Sequence, residues 1–159
     1  MVVRAWSDVD RMDMAHLRNA CKHARKESEC LSSKVGAVVV GKYTPIYGAN
    51  ITMGETPTCE ELGYCPEDGA GHCTNTIHAE ADAILEYLAG ASDRPESAPS
   101  AIYITREPCY QCAQLIAWLQ IPRVVVLDGK PNPAGREVLE RHRITLVVVT
   151  GWEEAITHG

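Results

Sequence analysis

No stretch of the 159-residue chain approaches the run of about 20 apolar residues that a membrane-spanning helix needs. The opening segment MVVRAWSDVD has too short an apolar run for a secretory signal, so a soluble cytoplasmic protein without membrane partners is expected. A basic block is also missing. With 15 Lys+Arg against 21 Asp+Glu and a formal net charge of -6, a nucleic acid polymer would meet overall repulsion. Internal repeats and low-complexity segments are absent, and no Pro/Ser/Gly-rich stretch is long enough to separate domains. Since 45% of the residues are hydrophobic, one domain over residues 1–159 with a substantial core is expected.

What the chain does have is cysteine, seven in all. In a reducing compartment such thiols read as metal ligands or catalytic groups, and the odd count argues against a framework of disulfides. Cys21 recurs with Met14, Leu17 and Ala24 at helical spacing and reads as a small buried hydrophobe. Cys30, Cys59, Cys65, Cys73, Cys109 and Cys112 need another account.

Residues 8–28 read as a helix, and KVGAVVVG and PIYGA as a strand hairpin. Residues 50–75 are polar and glycine-rich, with no regular element expected. A helix is predicted from about Thr76, with Ile77, Ala81, Ile84, Leu85 and Leu88 as its core-facing stripe and Gly90 as its stop. GASDRPESAPS reads as a surface loop. The strands AIYIT, RVVVLD and ITLVVV follow, separated by helices at about 109–120 and 134–142, with a last short helix from Trp152. Late strands that are continuous apolar runs must be covered on both faces. The expected fold is therefore α/β, a three-layer α/β/α sandwich around a central mixed five-stranded sheet.

Two motifs carry chemistry. In TIHAEADAIL, His78 and Glu80 are not required by the predicted apolar stripe, although a first-turn glutamate also complements a helix dipole. In EPCYQC, Cys109 and Cys112 fall in the first turn of a helix behind Pro108, three residues apart and on one face. A C-x-x-C pair there is compatible with a thioredoxin-like redox couple, a structural zinc knuckle or half of a catalytic zinc site. With His78 as third ligand, the fourth position stays open, which is the catalytic arrangement. Glu80 lies about 200° around an ideal helix from His78 and cannot stack beneath it as a second ligand.

His-Ala-Glu at 78–80 followed by Pro-Cys-x-x-Cys at 108–112 resembles the cytidine deaminase superfamily, with similarity from about Ala15 to Val149. The resemblance implies a cytidine deaminase-like fold, zinc on His78, Cys109 and Cys112, and Glu80 as the proton shuttle. ESECLSSKVGAVVV and GHCTNTIHAEADAI are similar to deoxycytidylate deaminases of bacterial and phage type. That implies hydrolytic deamination of a small pyrimidine nucleotide, dCMP to dUMP plus ammonia, by a homo-oligomer, commonly a hexamer. Asn50 is then expected to hold the sugar hydroxyl or the base, its other reading being a turn residue. Lys34 and Arg106 are the nearest candidates for the phosphate, with further donors expected from a neighbouring subunit. Some relatives carry a second, structural zinc. Here Cys30 and Cys59 match its first two ligand positions, His72 is the expected third, and Cys65 and Cys73 compete for the fourth; the alternative is free thiols.

Two departures bear on the substrate. GANI stands where the family often reads G-Y-N-G, which leaves regulation by nucleoside triphosphates open. HAEADA replaces H-A-E-x-N-A, so Asp82 is expected to add negative charge near the site. A 5-modified dCMP, dCTP or another nucleobase compound are the alternative substrates. A dithiol redox protein and a non-catalytic zinc module are the alternatives from other classes.

Overall fold

The structure is a computed structural model that describes residues 1–90 and 98–157. Most of the proposed loop GASDRPESAPS lies outside the described residues. The strands are β1 (Val2–Ala5), β2 (Gly36–Val40), β3 (Ile46–Ala49), β4 (Ala101–Ile104), β5 (Arg123–Leu127) and β6 (Thr145–Thr150). The helices are α1 (Arg11–Glu27), α2 (Cys59–Leu62), α3 (Ala79–Ala89), α4 (Tyr110–Trp118), α5 (Pro133–Arg141) and α6 (Glu153–Thr157), with a 3-10 turn at Trp6–Asp8.

The strand order is β1-β6-β5-β4-β2-β3, with β2 antiparallel to both neighbours and the other pairs parallel. The mixed three-layer sandwich is as expected, but the sheet has six strands instead of five. The additional one, β1, pairs with β6 from Val2↔Val147 to Ala5↔Thr150. All four of its residues are exposed, so it carries no buried alternation that a sequence pattern could reveal. Main-chain pairing alone defines it.

Side chains alternate across the sheet and build two cores. Val124 and Val126 point toward α3, α4 and α5, where they meet Ala83, Ala113, Ile116, Val138 and Leu139. Val125 and Leu127 point the other way, onto Leu17 and Ala20 of α1 and Ile156 of α6. This explains the unbroken apolar runs of β5 and β6. Cys21, expected as a small buried hydrophobe, is only half-buried and packs against the edge of the α1 core. α1 starts at an Asp10 N-cap, whose side chain accepts from Met12 N and Asp13 N. Its Asp13 is buried and ion-paired to Arg123 of β5, while Tyr103 donates a 2.6 Å hydrogen bond to it.

Two local expectations are corrected. In α3 the buried residues are Ala79, Glu80, Ala83, Ile84 and Tyr87, whereas Leu85 and Leu88 are 51% and 39% exposed. The helix turns its small residues inward because it lies almost on β3. A Cβ on Gly48 would sit 2.3 Å from Ala83 N and 2.4 Å from Ala79 O. Close backbone approach outweighs the larger burial that the leucines offered. In the segment 50–75, Thr58 and Glu61 form a capping box around the one-turn α2, and Gly63 ends it at φ 75°.

A candidate metal centre

Both chemical motifs stand at helix N-termini beside the sheet. His78 is the N-cap of α3 and Cys109 the N-cap of α4, with Cys112 in the first turn of α4. The Gly48 contact seats α3 against β3. At the other end, a Cβ on Gly135 of α5 would lie 2.0 Å from Pro108 O, so α5 packs directly against the turn that presents the cysteines. His78 Nδ1 lies 3.4 Å from Cys109 Sγ and 3.3 Å from Cys112 Sγ. A tetrahedral site with Zn–N near 2.0 Å and Zn–S near 2.3 Å separates such donors by about 3.5 Å, so the three donors fit a zinc ion.

The groups are electrostatically tied together. The hydrogen bond with Cys112, and then His78, hold the Cys109 thiol down at about 3. That same bond, burial and the nearby Glu80 push Cys112 up. His78 is raised above the ordinary histidine range by its bond to Cys109. Glu80 is 3% exposed, and burial raises its carboxyl above the usual range. Its oxygens stay outside the cluster formed by His78, Cys109 and Cys112, yet it lines the same cavity as His78 and Cys109. Three soft or borderline ligands beside a separate buried carboxyl suit metal-assisted hydrolysis with an acid–base residue.

Asn50 and Arg106 line this cavity too. The Asn50 carboxamide is already engaged: Oδ1 accepts from Val35 N at 2.8 Å and Ser28 Oγ at 2.6 Å, and Nδ2 donates to Ser33 O at 2.6 Å. It ties the 28–35 segment to the end of β3 and retains one N–H for a ligand. Arg106 Nη1 donates to Ser33 Oγ at 3.2 Å. Lys34 does not line this cavity. It borders the adjoining one and donates to Ser28 O at 3.2 Å. Asp82 is not a site charge either, because its carboxylate accepts from Ala49 N at 3.0 Å and fastens α3 to β3.

The remaining cysteines converge. The sulfurs of Cys30, Cys59, Cys65 and Cys73 all lie within 4.8 Å of one another, with separations of 3.5 Å for Cys30–Cys65 and 3.7 Å for Cys59–Cys65 and Cys59–Cys73. The edge of a tetrahedral Zn–S4 site is about 3.8 Å, whereas a disulfide needs about 2.05 Å. This set differs from the expected one. His72 is outside the cluster, its Nδ1 3.2 Å from Asp68 Oδ2, because the turn that carries it is closed by Asp68 accepting from the amides of Ala70 and His72. The sequence offered five candidates and could not choose. Folding brings both competitors, Cys65 and Cys73, to the same point.

The sequence reading did not single out Lys130, Asn132 or Glu107, which also line the cavity. Glu107 is buried and accepts from Asn132 N at 2.9 Å and from Arg136 Nε at 2.8 Å. Lys130 and Asn132 follow β5, a parallel neighbour of β4. The carboxyl ends of adjacent parallel strands share a crevice, and that rule was the available signal.

Residues 10–128 match the cytidine and deoxycytidylate deaminase zinc-binding region, and the chain belongs to this zinc-binding deaminase family. Among its relatives, the deoxycytidylate deaminase of Mycobacterium phage D29 is 39% identical over 113 residues, covering 64% of this chain and 84% of the phage protein. ComE operon protein 2 of Bacillus subtilis (strain 168) is 32% identical over 123 residues, 75% of this chain and 61% of that protein. The fold is shared with a dCMP deaminase from cyanophage S-TIM5 crystallised with dCMP and dUMP, with TM-score 0.67, 23% identity, and coverage of 88% of this chain and 98% of that one.

Proposed function

We propose that the protein is a single-domain deaminase that converts dCMP and water to dUMP and ammonia, with His78, Cys109 and Cys112 as the zinc ligands. The observation that carries this is the meeting of those three donors with a buried, separate Glu80 in one cavity, in a chain related to a deoxycytidylate deaminase. Zinc held by His78, Cys109 and Cys112 would lower the pKa of a water at the open fourth position toward neutrality. Glu80 accepts the proton that the water gives up as oxygen adds to C4, and passes it to ring N3. It then relays the proton of the new C4 hydroxyl to the amino group as the C4–N bond breaks, leaving the C4 carbonyl and releasing ammonia. A carboxyl whose protonated form is favoured by burial is suited to hold that proton between the two transfers.

Cys30, Cys59, Cys65 and Cys73 are proposed as a structural zinc site that fixes the 50–75 loop. We also propose a homo-oligomer, with a hexamer favoured, in a cytoplasmic setting, where seven unpaired thiols persist. Leu85 and Leu88 of α3 and Tyr110, Leu115 and Trp118 of α4 leave apolar side chains exposed on neighbouring helices, which supports a contact between copies. Among the described residues no helix is long and apolar enough to cross a membrane.

Ammonia release from dCMP, dCTP, 5-substituted dCMP, deoxycytidine, cytidine and guanine tests the activity. dCMP is expected to exceed deoxycytidine by at least about a hundredfold in kcat/KM, the size of roughly two charged hydrogen bonds. A protein that releases no ammonia from any of these, but reduces disulfides through Cys109 and Cys112, would overturn the reading in favour of the redox alternative.

A further inference from the structure

No block of basic residues stands in the sequence, yet the fold assembles one. Arg11, Arg18, Lys22 and Arg25 follow one another along α1 at steps of seven, four and three residues. At about 100° per residue they fall within about 60° of one another around the helix. Lys26 borders them, and the row from Arg11 to Lys26 is about 22 Å long at 1.5 Å per residue. Each of these cations is exposed, because the opposite side of α1, with Leu17, Ala20 and Ala24, is the one buried on the sheet. The acidic residues of the helix do not offset the row: Asp13 is buried against Arg123, and Glu27 takes only Lys26. Among the described residues Arg11, Arg18, Lys22 and Arg25 enter no ion pair.

The opposite charge is gathered elsewhere in the same chain. Between Lys42 and Arg94 there is no lysine or arginine, and the 50–75 loop exposes Glu55, Glu60, Glu61, Glu67 and Asp68. The backbone beneath these carboxylates is fixed. Glu60 and Glu61 lie on α2, which is held by its capping box and by Cys59 in the sulfur cluster, and Glu67 bridges to Cys73. Cys59 N donates to Glu29 O at 3.3 Å, so the loop is anchored just beyond the end of α1. Even so, no ion pair joins it to the α1 cations among the described residues, and Glu55, Glu60 and Glu67 enter none at all. The chain thus carries a cationic row and an anionic platform that do not neutralise each other.

We infer that the α1 row of one copy of this chain docks on the acidic 50–75 platform of another. The inference rests on the homo-oligomer reading above and names a surface for it; it does not depend on which substrate is deaminated. α1 packs on the face of the sheet opposite α3 and α4. The exposed apolar side chains of α3 and α4 therefore remain available for a different contact, and two different contacts build an assembly of more than two chains. Charge complementarity favours a second copy over a polyanion. A nucleic acid or an anionic bilayer on the row would also meet the carboxylates at its end, whereas a second copy brings carboxylates to the cations and cations to the carboxylates. Because the platform is fixed before contact, docking orders few further groups.

Analytical ultracentrifugation of the zinc-loaded full chain tests the contact without any turnover. Raising NaCl from about 0.05 M to about 0.5 M should weaken association at least about tenfold. Arg18→Glu combined with Lys22→Glu should give a smaller assembly than wild type, and so should Glu60→Lys combined with Glu67→Lys, each with an unchanged far-ultraviolet circular dichroism spectrum. All four changes in one chain reverse both partners and should restore the wild-type assembly, which neither misfolding nor a change in net charge would do. An oligomer indifferent to salt and to every variant, or a fourfold variant no larger than the double ones, would overturn the contact and leave the homo-oligomer reading standing. A wild type that is monomeric at every salt concentration would end both. A single-stranded oligodeoxynucleotide that binds wild type but not the Arg18→Glu, Lys22→Glu variant, with assembly size the same in both, would give the row to nucleic acid instead.

Discussion

Glu107 and Arg136 form a bidentate pair across the site, with Arg136 Nε 2.8 Å from Oε2 and Nη2 2.5 Å from Oε1. The pair joins the junction before Cys109 to α5. Burial raises the Glu107 carboxyl, but Arg136 and the Asn132 amide more than offset this, and its pKa is lowered overall. Because Arg136 is one-third exposed, it can turn to water when its partner is removed. Glu107→Ala is therefore expected to cost about 2–3 kcal/mol in urea unfolding, less than a fully buried pair. It should also raise KM for dCMP, because the turn between β5 and α5, which lines the cavity, loses its Glu107–Asn132 anchor.

Glu80→Gln separates metal binding from proton transfer. The amide preserves shape but cannot carry the proton, so the variant should retain the zinc of the catalytic site by elemental analysis. Its kcat should fall by at least about 10²–10⁴-fold. Retained turnover, or loss of that zinc, would remove Glu80 from the shuttle role.

The four-cysteine cluster predicts two zinc ions per chain. Cys59→Ser, at a fully buried position, should lower the count to one. It should also reduce Tm by roughly 10 °C, since binding of a structural zinc contributes directly to folding free energy. An unchanged stoichiometry of one in both proteins would make the loop sulfurs free thiols.

A stability profile against pH reports on the α1–β5 pair. Burial raises the carboxyl of Asp13, but Arg123, Tyr103 and Asp10 outweigh it and leave the pKa lowered. The unfolded state therefore binds more protons, and the stabilisation is fully present above the unfolded value of about 3.9 and lost as pH falls through the folded pKa. His16, whose ring lies tilted against Tyr103 at a centroid distance of 4.7 Å, is lowered by burial. It adds a loss of stability in the same direction, beginning as pH falls below about 6.5. Asp13→Asn should cost about 2–4 kcal/mol at pH 7 and flatten the acid limb below pH 4, leaving the His16 limb in place. A parallel pH profile in the variant would mean that Asp13 contributes nothing through its charge.

The sequence by itself determined the layers and the motif positions. The unbroken apolar runs of β5 and β6 require cover on both faces, and the α/β order follows from periodicity. His78, Glu80, Cys109 and Cys112 were legible because each motif is local: a few residues at the front of a helix, with spacing fixed by helical geometry. The strand β1 was not legible, since its four exposed residues are ordered by β6, some 140 residues away. The buried face of α3 depended on the Gly48 contact, which no periodicity within the helix encodes. The same holds for the choice of Cys65 and Cys73 together over His72, and for Lys130 beside Arg106. These depend on where separate loops arrive once the sheet has formed, and only the tertiary structure decides that because loop residues carry no repeating pattern to read.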